Sequence, residues 1–171
     1  MSEKAADIRR FLIWVQMKKL TEMRALLEIV DSAKDIAKAQ GSAWGYRDTI
    51  VALCDSFSIK VPNLDTPVTP QAEDKDVYDF REWDITKLNS YAAAADQLEE
   101  SRDYKTFIQW SATRIEERKE YLFYSAEKGS DLHKTHGYRD AVNQVSMSMY
   151  KLRGELEKRI DENPLFEGRM E

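Results

Sequence analysis

The stretch YRDAVNQVSMSMYKLRGEL (138–156) decides the fold class. Tyr138, Val142, Val145, Met149, Leu152 and Leu156 recur at spacings of 4, 3, 4, 3 and 4, which draws one apolar stripe along a helix. The spacing predicts a last helix over about 136–162, stopped before Pro164, with a seam of the kind that packs one helix against another.

Working outward, the same reading applies to most of the chain. Of 171 residues only six are Gly and four are Pro, and three of those prolines fall at 62, 67 and 70. Residues 3–40 read as one long helix, begun by a Ser2 cap and stopped by Gly41-Ser42. Its rows Leu20, Met23, Leu27, Val30 and Leu26, Ile29, Ala33, Ile36 together form a face wide enough for two neighbours. A second helix follows at about 45–58. Ile85, Leu88, Tyr91 or Ala92, Ala95 and Leu98 mark a third, ending near Asp103, and 104–127 make a fourth that ends at Gly129-Ser130. The expected class is all-α, a bundle of four to five helices. Its organisation reads as an N-terminal helical hairpin (1–60), a Pro-rich acidic connection (61–84), a C-terminal helical hairpin (85–163) and a tail (164–171). From Asp65 to Asp84 seven acids face two bases, which disfavours compaction of the connection. Val77, Tyr78, Phe80 and Trp83 are expected to anchor its later part on the bundle.

Four residues, GYRD, occur twice: in WGYRDTIVALCDSF (44–57) and in HGYRDAVNQVSMSM (136–149). Aligning Asp48 with Asp140 sets Ile50, Leu53 and Phe57 on Val142, Val145 and Met149, so the apolar positions coincide. Either a duplicated hairpin or a chance repeat accounts for this. In both cases Tyr46, Arg47, Asp48 and Tyr138, Arg139, Asp140 are expected to form a paired helix-start motif. Each glycine would open a helix, with the carboxylate in the first turn against the positive end of the dipole.

Composition narrows the functional classes. The net charge of −5 opposes general nucleic-acid binding, which needs surplus Lys and Arg to displace counterions. A single cysteine, Cys54, leaves no internal disulfide and suits a reducing compartment. FLIWV (11–15) is too short to span a bilayer, so a soluble, cytoplasmic chain without a cofactor is expected. Within IRRFLIWVQMKKL (8–20), Phe11 and Trp14 belong to a helix buried in the bundle or at an oligomer interface, with Lys18 and Lys19 reaching water.

The carboxylates Glu117 and Glu120, with Asp140 one helix later, resemble the metal-binding ExxE and ExxD motifs of MazG-type nucleotide pyrophosphatases. That resemblance implies a Mg²⁺-dependent all-α nucleoside triphosphate pyrophosphohydrolase using those three residues. It departs from the family pattern at Gly137, where an acid should stand. Interleaving of Glu116, Glu117 and Glu120 with Arg114, Arg118 and Lys119 reads instead as a solvated face. His133 and His136 read as surface residues. The preferred function is therefore a non-enzymatic protein–protein interaction or assembly module that self-associates or binds a protein partner. Its expected contact residues are the 138–156 seam, Phe11, Trp14, and Leu165-Phe166 in the tail.

Overall fold

The computed structural model describes residues 3–65, 83–125 and 129–162, with side chains given except at 120–125 and 129–131. Among these the chain is all-α. Helices α1 (Glu3–Leu27), α2 (Ala33–Phe57), α3 (Ile85–Glu100), α4 (Arg102–Ser125), α5 (Gly129–Val142) and α6 (Gln144–Asp161) follow in order. Between α5 and α6 only Asn143 leaves the helix. Its N–H still donates to the Arg139 carbonyl at 3.1 Å, so the pair is close to one broken helix. The class is thus a bundle of five helices, the last interrupted once.

Helix boundaries differ from the sequence expectation in several places, for identifiable reasons. The single helix over 3–40 is two helices. Ser32, extended at φ −79°, caps α2 by accepting the Asp35 N–H at 3.1 Å, and the chain turns at 28–32. Gly41-Ser42 does not stop a helix. Both residues lie inside α2, which continues to Phe57 and ends on Ser58 in the left-handed conformation (φ 55°). Likewise the Gly45 and Gly137 segments, expected at helix starts, lie within α2 and α5, and the last helical run begins at Gly129 rather than 136.

The glycines are there for close approach. A Cβ on Gly41 would meet the Lys134 carbonyl, with its carbon at 2.6 Å, and one on Gly45 would meet the Ala141 Cβ at 2.7 Å. A Cβ on Gly137 would strike the Lys38 carbonyl and the Ser42 Oγ at 2.8 Å. Helices α2 and α5 therefore touch backbone to backbone. The contacts ascend together, Gly41 on Lys134 and Gly45 on Tyr138 and Ala141, so the two helices run parallel. Read locally, Gly41 marks a helix stop and Gly45 and Gly137 mark helix starts; the partner that fills the space of their missing side chains lies on another helix.

Around this pair, α1 runs back along α2, with the Arg9 guanidinium 5.2 Å above the Phe57 ring. Helix α4 also runs back along α2 and α5, its Arg118 meeting Trp44 and Tyr138. Helix α3, capped by Asp84, which accepts the Lys87 N–H at 2.8 Å, packs on α1 and α6. Trp83 is buried against Tyr91 at 4.6 Å between centroids, while Val77, Tyr78 and Phe80 lie outside the described residues. The core joins Ile8, Leu12, Ile50, Leu53, Phe107 and Leu156, all fully buried. No helix among the described residues is long and apolar enough to cross a membrane.

Candidate functional site

The two GYRD segments lie side by side across the α2–α5 contact. The Tyr138 hydroxyl donates to Asp48 Oδ2 at 2.6 Å. In the reciprocal position Tyr46 lies near Asp140, whose charge, after burial itself, helps push the Tyr46 phenol up to about 12. Tyr138 is raised further, first by burial and then by its bond to Asp48. Each tyrosine is thus influenced by the other helix's aspartate, Tyr138 through a hydrogen bond and Tyr46 through charge alone. The paired arginines do not share a fate. Arg47 meets Asp65 at 3.5 Å in the chain that follows α2. Arg139 has its Nε buried without a hydrogen-bond partner.

Flanking this crossing is a groove between α2 and α4. Val51, Ala52 and Trp110 form its apolar part, and Arg47, Asp48, Asp55 and Arg114 its polar part, around about 380 Å³. At one end the Arg118 guanidinium lies 4.5 Å above Tyr138 and 5.9 Å above Trp44, a cation–π bracket joining α4 to both GYRD helices. Trp44 is 59% exposed and Val51 36%, one turn-pair apart on the same face of α2. A second groove, about 970 Å³, separates α4 from α6 and is lined by Tyr104, Ile108, Tyr150 and Gly154 among others. Tyr150 is 75% exposed, and Met147 beside it is also open to solvent.

The residues singled out from sequence are distributed as follows. Tyr138, Val142, Val145, Met149, Leu152 and Leu156 are all buried within the chain, so the seam is spent on the bundle's own core and offers nothing to a second copy. Phe11 and Trp14 are half-buried, stacked at 6.4 Å, with Lys18 5.6 Å from the Trp14 ring. Leu165 and Phe166 lie outside the described residues. Glu117 is exposed and paired to Arg114 at 3.2 Å. Asp140 shares its cleft with Lys119, His136 and Arg139, which are not a magnesium ligand set. The Glu120 side chain lies outside those described, and no group of three or more His, Cys, Asp or Glu that could hold a metal is present among the described residues. His133 and His136 stand on α5, half-buried and exposed respectively.

Trp110 and Tyr150 line the two grooves, and Trp44 and Arg118 stand at one end of the first; none of the four is among the contact residues expected from sequence. A solvent-facing Trp44 one residue before Gly45 was the available signal; periodicity assigns such a residue to no apolar row. Compared with models of protein families, with curated proteins and with solved structures, the chain matches none.

Proposed function

We propose that the protein is a non-enzymatic helical assembly module that binds protein, in the first instance a second copy of itself, through the α2–α4 groove. The observation that carries this reading is the pair of exposed apolar residues, Trp44 and Val51, beside half-buried Trp110 and a rim of Arg47, Arg114 and Arg118. Aromatic and Arg side chains of this kind are what protein interfaces favour. With the 138–156 seam consumed internally, association falls to this face.

A complementary surface exists on the same chain. Exposed Met147 and Tyr150 offer apolar surface on α6, and charges of both signs (Glu99, Glu155, Glu157 with Lys151, Arg153) stand by Tyr150, as both signs (Arg47, Arg114 with Asp48, Asp55) line the groove. Pairing opposite charges across two mixed surfaces sets register rather than drawing the copies together. The pairing is heterologous, because one copy's groove meets the other copy's α6.

Sedimentation velocity over a concentration series tests it. The full chain should self-associate in the micromolar range, and Trp44→Asp and Tyr150→Asp should each abolish this. Mixing the two variants should restore a dimer, because each retains one intact half of a heterologous contact. A chain that stays monomeric to about 100 μM, where even contacts worth only some 5–6 kcal/mol become visible, overturns the reading.

A further inference from the structure

Asp140 and Arg139 line a second cleft, between α4 and α5, of about 350 Å³. Its other walls are Ile115, Lys119, His136 and Asn143. Hydrogen-bond donors outnumber acceptors there. Arg139 contributes a guanidinium, Lys119 an ammonium, and Asn143 a carboxamide that makes no capping bond to α6 although it stands at that helix's N-cap. His136 adds an exposed imidazole. Among the described lining residues the carboxylate is Asp140, whose charge is also felt by the Tyr46 phenol of the neighbouring helix.

The contrast between the two GYRD arginines makes this cleft stand out. Arg47 sits opposite a carboxylate, Asp65, at 3.5 Å. Arg139, at the matching place on α5, has a buried Nε with no partner. A buried donor left without an acceptor is costly, and guanidinium is the donor whose planar fork suits a tetrahedral or planar oxyanion. Lys119 makes an exposed pair with Glu116 at 2.9 Å, one turn back on α4, and such pairs are weak enough to exchange. The cleft's size suits a small molecule rather than a polypeptide.

We propose that the α4–α5 cleft is a phosphate-binding site, in which Arg139 and Lys119 hold the phosphoryl oxygens of inorganic phosphate or of a small phosphate monoester. Asn143 and His136 supply further donors, and Ile115 provides the short apolar wall against which an ester's carbon skeleton rests. This site is separate from the α2–α4 groove, so it stands or falls independently of self-association.

The test uses the full chain labelled with ¹⁵N at arginine, with the Nε–H signal of Arg139 assigned from its loss in Arg139→Gln. Sodium phosphate and ribose 5-phosphate are titrated in turn at constant ionic strength, with sodium chloride as the reference salt. The expected result is a saturable shift of that one signal with either phosphate and none with chloride. Tighter binding of ribose 5-phosphate identifies a monoester as the ligand, and tighter binding of inorganic phosphate identifies the free ion. Binding followed by calorimetry should weaken by about tenfold or more in Arg139→Gln. Lys119→Ala, an exposed change that leaves the fold intact, should weaken it by roughly threefold. No saturable shift up to about 20 mM phosphate, a range in which even ligands far weaker than millimolar binders register, overturns the proposal. So does equal binding by both variants, or an equal response to chloride.

Discussion

Replacing Gly41 by alanine sets two well-known effects against each other, and the structure decides which prevails. Alanine in a helix interior is favoured over glycine by about 1 kcal/mol, so propensity alone predicts stabilisation. At Gly41, however, the new methyl would lie 2.6 Å from the Lys134 carbonyl carbon and 2.7 Å from its Cα. Carbon atoms settle at about 3.5–4.0 Å, so α2 and α5 would have to part by roughly 1 Å, and backbone on one side cannot swing away as a side chain would. The same displacement would stretch the Tyr138–Asp48 bond, now 2.6 Å, beyond useful length. Losing a hydrogen bond to a charged group costs about 1.5–3 kcal/mol, and imperfect packing at a helix contact costs about 1–3 more. Against the propensity gain, Gly41→Ala should destabilise the chain by about 2–4 kcal/mol. In a chain of this size that lowers the melting temperature by roughly 5–15 °C. Gly154→Ala is the control, because nothing lies within 4 Å of a Cβ there. It should stabilise by about 0.5–1 kcal/mol. Urea unfolding followed by circular dichroism reads both. A Gly41→Ala variant as stable as the original, or more so, would refute the close-contact account of the α2–α5 pair.

Other expectations follow from buried polar groups. Tyr46, Tyr91 and Tyr104 are all pushed up to about 12, in each case chiefly by burial. Their folded pKa lies above the unfolded value of about 10, so the stability they confer is full below pH 10 and drains away as pH rises from 10 through 12. Absorbance at tyrosinate wavelengths should therefore show these phenols ionising together with loss of helix; ionisation at pH 10 with helices intact would contradict their placement. Gln16 is 0% exposed in α1, its Nε2 3.4 Å from Ser148 Oγ and its Oε1 without a partner. Gln16→Met should raise stability by about 1 kcal/mol, as measured by the urea midpoint, because a poorly satisfied amide is exchanged for an apolar chain of similar volume. A loss of similar size would show that the amide is better satisfied than its neighbours imply.

Local chemistry carried the all-α class, and particular elements show why. The 3.5-residue spacing of Tyr138 to Leu156 specifies a buried stripe whatever the stripe touches, and all six residues are buried. Ile85, Leu88, Tyr91, Ala95 and Leu98 placed α3 for the same reason, with boundaries at Ile85 and Glu100. Periodicity says only that a face is covered, however, not by what. Nothing in the seam distinguishes a second copy from the same chain's own helices, α2 against its α5 part and α1 and α3 against its α6 part. The cap at Ser32 was legible in principle, since Ser followed by an acid three residues on is a helix-start pattern, but the apolar rows running through 26–36 masked it.

What sequence alone determined was thus the identity of each apolar face and the helical state of most of the chain, because both rest on spacing within one segment. Tertiary structure decided the rest. Gly41 reads as a helix end, and Gly45 and Gly137 as helix starts, until another helix lies where their side chains would be, and then they are the reason two helices can touch. The meaning of GYRD belongs to the same class. Its tyrosine and aspartate act across a contact between residues some ninety positions apart, joining Tyr138 to Asp48. No local pattern encodes a bond made between two helices, because its geometry exists only once both are packed.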